Sequence, residues 1–231
     1  MRHILFLQPA SGPEPMDQPA QLLALLAAGG LPADWAQTWL TLDPLPELRA
    51  QSPQALDPSP ERAGPVPEAP AAVPTGAAKT LIEALLLATD VAVLLPAQAE
   101  ALAQHARLLA HLHAWQHLHL LDYRDWMRGK RFALIATLAP AGVAEAEVLD
   151  AAVRSAPAQW QALCAELDCD WHGALLGQPD AQGSVLTDVA AGFAAQGFLA
   201  RSAARPLAHA QTHETRMAYL AACARACACA R

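Results

Sequence analysis

Five short apolar segments recur along the chain, bounded by proline, glycine or aspartate, with helical-period stretches between them. They are Arg2–Leu7 before Pro9, Thr38–Leu42 before Asp43-Pro44, Val91–Leu95 before Pro96, Arg131–Thr137 after Gly129-Lys130, and Trp171–Leu176 between Asp170 and Gly177. Apolar runs this short, interleaved with helices, predict a parallel sheet covered on both faces. Asp17 is placed to cap a first helix through Leu22, Leu23, Leu25 and Leu26, which stops at Gly29-Gly30. A second helical face carries Leu81, Ile82, Leu85 and Thr89. A third carries Leu102, Ala106, Leu109 and His113, and a fourth Trp160, Leu163, Cys164 and Leu167. A closing helix is expected from about Thr187 to Leu199.

Residues 43–75 break the alternation. Nine prolines fall there (44, 46, 53, 58, 60, 65, 67, 70 and 74), with almost no aromatic or β-branched residues. Such a stretch buries too little apolar surface to offset its ordering entropy, so it reads as a long loop within one domain spanning 1–205. Residues 206–231 read as a C-terminal extension.

Charge and apolar patterning exclude two classes of partner. The 231 residues carry a formal charge of −7, and the 15 basic residues are scattered. Nucleic acid is therefore not expected, because phosphate contacts need clustered Lys and Arg. The N-terminal apolar run Ile4–Leu7 is too short for a signal core. No other uncharged, proline-free stretch reaches spanning length, so no membrane partner and a cytoplasmic location are expected. Five cysteines, three of them near the C-terminus (Cys223, Cys227, Cys229), fit a reducing compartment better than a disulfide framework.

Five strands and five helices, beginning with a strand, suit a doubly wound five-stranded sheet of order 2-1-3-4-5. Such sheets bind ligands at the carboxyl ends of the strands beside the switch point. Three pieces carry a family resemblance: His3-Ile4-Leu5-Phe6-Leu7 with its loop, Ala88-Thr89-Asp90-Val91-Ala92-Val93-Leu94-Leu95-Pro96, and Met127-Arg128-Gly129-Lys130-Arg131-Phe132-Ala133-Leu134-Ile135. The chain resembles the flavodoxin-like NAD(P)H-dependent FMN oxidoreductases and quinone reductases over roughly residues 2–200. The resemblance implies FMN as cofactor, NAD(P)H as electron donor and a small-molecule electron acceptor. It places the cofactor on Gln8 and the loop after it, where Ser11, Gly12 and Gln18 suit the FMN phosphate, with the flavin ring against Pro96, Ala97, Gln98, Thr137, Leu138 and Gly142.

The loops depart from the family pattern. The segment after the first strand, Gln8-Pro9-Ala10-Ser11-Gly12-Pro13-Glu14-Pro15-Met16-Asp17-Gln18, has three prolines that remove amide donors and two carboxylates that repel a phosphate. Pro96 is followed by Ala97-Gln98-Ala99, without the family's aromatic and glycine. Thr137-Leu138-Ala139-Pro140-Ala141-Gly142 lacks a glycine pair. Weak FMN binding is the expectation. A cofactor-free flavodoxin-like interaction or regulatory module is the alternative.

The remaining polar clusters have plain readings. His105, His111, His113, His117 and His119 lie on a segment running away from the ligand edge, and a solvated or homodimer-contact face explains them better than a metal site does. His209 and His213 with the tail cysteines match the ligand taste of Zn²⁺ or Cu⁺, but their spacing is not that of a common zinc finger. Compositional drift explains the same tail, and no metal is assigned.

Overall fold

The structure is a computed structural model that describes residues 2–10, 19–42, 76–115 and 123–201. The loop 43–75, the C-terminal extension, His117, His119 and the tail His and Cys residues lie outside the described residues.

Eleven elements follow one another among the described residues: β1 (His3–Pro9), α1 (Pro19–Ala28), β2 (Ala36–Leu42), α2 (Ala77–Leu87), β3 (Asp90–Pro96), α3 (Ala99–Trp115), α4 (Tyr123–Met127), β4 (Arg131–Thr137), α5 (Ala146–Glu166), β5 (Asp170–Gly177) and α6 (Val189–Ala195). The sheet order is β2-β1-β3-β4-β5, with every described pair parallel, as the sequence predicts. All seven residues of β3 and of β4 are buried, which explains their near-continuous apolar sequences.

Alternation along the strands divides the core in two. Leu5, Leu7, Val91, Val93, Phe132 and Leu134 face α2, α3 and α5. Ile4, Phe6, Ala92, Leu94, Ala133 and Ile135 face α1 and α6. Phe132 stacks on Trp160 at 5.4 Å on the first side, and Phe6 on Trp39 at 4.2 Å on the second. Trp39 is only half-buried because β2 is an edge strand.

Two expectations about α3 are corrected. Its buried face is Ala101, Gln104, His105, Leu108, His111, Leu112 and Trp115, one position off the face of Leu102, Ala106, Leu109 and His113. Alanine and leucine occupy every side of this helix, so the apolar period does not select a face. His105 and His111 are consequently core residues, not part of a solvated face. His113 alone of the described three is exposed, and it meets Glu166 at 3.1 Å.

α5 begins earlier than the spacing of Trp160, Leu163, Cys164 and Leu167 suggests, at Ala146, and passes through Pro157. Thr89 lies outside α2, where its hydroxyl donates to the Asp90 carboxylate at 2.7 Å and lies 3.1 Å from the His3 carbonyl. In β5 a register shift leaves His172 as an extra residue opposite the Phe132–Ala133 step, and Gly173 takes a φ of 128°. This bulge turns the imidazole toward the Phe198 carbonyl at 2.7 Å.

The amino edge of the sheet is held by buried polar groups. Arg131 meets Asp90 at 3.6 Å and Asp170 at 3.9 Å, and the Lys130 ammonium donates to the Ala88 carbonyl.

Candidate functional site

Parallel pairing brings the carboxyl ends of all five strands to one rim. Pro96, Thr137 and Gly177 form a row across it, because Thr137 is in register with both of the others. β1 lies between β2 and β3, so the chain leaves β1 and β3 on opposite sides of the switch point. Doubly wound sheets place ligands in that crevice.

Each strand end is tied down by its neighbours. After β1, the Ala10 amide donates to the Leu42 carbonyl at 3.2 Å and to Gln104 Oε1 at 3.0 Å, and Gln104 Nε2 returns a bond to the Ala10 carbonyl at 3.3 Å. Gln104 is buried, so this two-way clamp is shielded from water. Gln8 turns sideways and donates to the Thr41 hydroxyl at 2.7 Å, on the neighbouring strand.

After β3, Pro96 and Ala97 are buried and Gln98 is exposed. The Gln98 amide folds back onto the Pro96 carbonyl at 2.8 Å, while its own carbonyl accepts from Leu102 as α3 begins. After β4, the Leu138 amide donates to the Gly177 carbonyl at 2.9 Å, and the Ala139 amide to Asp150 Oδ1 at 2.7 Å. Thr137, Leu138 and Ala139 are all buried. Gly142 is exposed at a φ of 87°, with open space where a Cβ would point.

After β5, the Gln178 amide donates to Asp188 Oδ2 at 2.8 Å, and its side chain reaches the Ala139 carbonyl at 3.1 Å. The same Asp188 caps α6 by accepting from the Ala191 amide at 2.9 Å. Those backbone donors, Ala191 first and Gln178 next, hold its carboxyl below the usual aspartate range. Asp180 closes the intervening loop by accepting from the Ser184 and Gln182 amides. Val185 folds over Gly177: a Cβ there would sit 2.6 Å from Val185 Cγ2 and 3.0 Å from Leu23 Cδ2.

Gln8, Pro96, Ala97, Gln98, Thr137, Leu138 and Gly142 are thus all at or beside this rim, while Ser11, Gly12 and Gln18 lie outside the described residues. Gln104, Asp150, Gln178 and Asp188 organise the rim and belong to no motif. A glutamine on the buried side of α3 is their one sequence trace, and it shows only once the buried side is known.

A flavin ring presents carbonyl and ring-nitrogen acceptors, and FMN adds phosphate oxygens. Backbone N–H groups are the usual means of meeting them in a largely apolar pocket. The amides of Ala10, Gln98, Leu138, Ala139 and Gln178 are each engaged by an acceptor within the protein. These five donors are not free to meet a cofactor.

Among the described residues, no group of three or more His, Cys, Asp or Glu is placed to hold a metal ion. No helix among them is long and apolar enough to cross a membrane.

The chain is a flavodoxin-like α/β protein. No protein-family model matches it, and no curated protein matches it in sequence. Solved structures share its fold at low identity. The Trp repressor binding protein from Bacillus subtilis is 16% identical, covering 85% of this chain and 97% of that one, with a TM-score of 0.51. The NAD(P)H:quinone oxidoreductase from Methanothermobacter marburgensis is 14% identical, covering 91% and 99%, with a TM-score of 0.43. An NADPH-quinone reductase from P. pentosaceus is 12% identical, covering 86% and 97%, with a TM-score of 0.42.

Proposed function

We propose that this chain works as a cofactor-free flavodoxin-like module that acts by binding, not by electron transfer. The observation that carries the reading is that five backbone amides at the strand ends already donate within the protein, to Leu42 and Gln104, Pro96, Gly177, Asp150 and Asp188. Freeing such a donor for a ligand breaks a hydrogen bond worth about 0.5–1.5 kcal/mol, and more where the acceptor is a carboxylate. Glu14 and Asp17, in the loop after β1, add repulsion toward a dianionic phosphate. The full chain, purified without added cofactor, is expected to show no flavin absorption bands. It should leave FMN fluorescence unchanged on titration to about 100 times the micromolar range typical of metabolite sites. Stoichiometric flavin after purification overturns the reading.

The second reading is an FMN-dependent NAD(P)H oxidoreductase of the quinone or flavin reductase type, passing electrons to a small-molecule acceptor. It is supported by the Pro96–Thr137 pair, which puts the residues named for the flavin ring at the carboxyl ends of β3 and β4, with β3 beside β1 at the switch point. On that reading Ser11, Gly12 and Gln18 hold the phosphate, and Pro96, Ala97, Gln98, Thr137, Leu138 and Gly142 border the ring. NAD(P)H oxidation by the full chain, dependent on both FMN and a quinone, separates the two readings.

A further inference from the structure

The layer formed by α1 and α6 has an unusual surface. α1 reads PAQLLALLAA, with no charged residue and one polar side chain, and α6 reads VAAGFAA, with neither. The two helices lie side by side over the same core cluster, and their ends come so close that a Cβ on Gly30 would stand 3.1 Å from the Gly197 nitrogen. Ala20, Leu23, Ala24 and Ala27 of α1 and Ala191 and Ala195 of α6 point at the sheet. The opposite sides are apolar as well. Leu25 is 52% exposed, Val189 66% and Phe193 71%, with Leu26 and Leu186 also exposed. In α6, Val189 and Phe193 are one turn apart and nearly opposite Ala191 and Ala195, so they face directly outward. A helix apolar on all sides is ordinarily covered on all sides.

We infer that the outer face of α1 and α6 is a self-association surface on which a second copy of this chain docks about a two-fold axis. Two features select a second copy. The first is charge. Two molecules of formal charge −7 repel wherever carboxylates meet, and the outer sides of these two helices carry none. At the borders, Asp180 and Asp188 lie before α6 and Arg201 lies after it. An antiparallel pairing of α6 with its copy sets the acidic start of one against the basic end of the other, as an isologous contact requires. The second feature is area. The five exposed side chains offer on the order of 500 Å² of apolar surface, the right size for the centre of an interface of about 800 Å² per partner. Phe193, the one aromatic among them and the most exposed, is the expected anchor.

Light scattering on the full chain during size-exclusion chromatography, repeated by sedimentation at high salt, tests this directly. The parent is expected to be a dimer in both. Phe193→Glu should raise the dissociation constant by about 30-fold or more, the effect of removing an interface anchor. Because the ring is mostly exposed in one copy, the thermal midpoint of the variant's circular dichroism should show that it remains folded. Val148→Glu changes an equally exposed valine on α5, on the other side of the sheet, and should stay dimeric. A monomeric parent, whether or not it binds lipid vesicles, overturns the inference. So does a folded Phe193→Glu variant that remains dimeric, or a Val148→Glu variant that dissociates.

Discussion

His105 shows what one buried residue decides in this protein. The Trp160 indole can only donate, and it reaches His105 Nε2 at 2.8 Å, so that nitrogen must be unprotonated. Burial lowers the imidazole from 6.5 to about 4, and a second proton on Nε2 would also face the indole N–H. The unfolded chain therefore binds more protons at this position between pH 6.5 and pH 4. The stability contributed by neutral His105 is complete above pH 6.5 and is lost as pH falls toward 4. The shift bounds that loss at about 3 kcal/mol. His105→Gln keeps an acceptor for the indole but does not titrate. Its urea midpoint should fall much less between pH 7 and pH 4.5 than the parent's; parallel falls would show that other groups carry the acid sensitivity. Cys164 behaves in the same spirit, its thiol pushed up to about 12 by burial first and by Asp170 second, and Cys169 is raised further. Both are packing residues with little thiolate to react.

At the scale of elements, the join between β5 and α6 concentrates constraint. Gly177 is buried at the end of β5, and Val185 and Leu23 occupy the space a side chain would need. Valine is stiff about χ1, so it yields poorly. Gly177→Ala should destabilise the protein by about 1–3 kcal/mol, the ordinary cost of overpacking a filled site, measured by denaturant unfolding. Asp188, a few residues on, joins the rim to the start of α6. Asp188→Ala removes the acceptor for two amides and should cost about 1–2 kcal/mol, with Asn restoring part of it. Because its folded carboxyl lies below the ordinary aspartate value, its contribution is present above about pH 4 and fades as pH falls through the lowered value. A smaller loss for Asp188→Ala than for an exposed control substitution would remove it from the rim's architecture.

For the whole molecule, the members of both core clusters among the described residues run from Ile4 to Leu199. The five strands end at Gly177, and Phe198 and Leu199 seal the second cluster after α6. A chain ending at Arg205 is therefore expected to keep its thermal midpoint within a few degrees, roughly the shift produced by 1 kcal/mol in a domain of this size. A large drop in a scanning experiment would make the tail part of the fold. The proposed binding role and the α1–α6 face are properties at this same scale, since neither exists until separate helices are set side by side.

The sequence by itself determined the strands, most of the helices and the sheet order. Apolar runs ended by Pro9, Asp43-Pro44 and Pro96 leave few alternatives, and a short strand buried on both faces must be apolar throughout. It also marked the rim positions, since parallel strands bring all their carboxyl ends to one edge. Tertiary structure alone decided which side of α3 is buried, because a helix of alanine and leucine has no distinctive apolar face until a sheet and Trp160 press on one. It alone decided that Gln8 bonds Thr41, and that Gln104, Asp150 and Asp188 take the amides of Ala10, Ala139 and Gln178. Those partners come from helices and loops up to 94 residues away in the chain, and no local spacing encodes such a pairing.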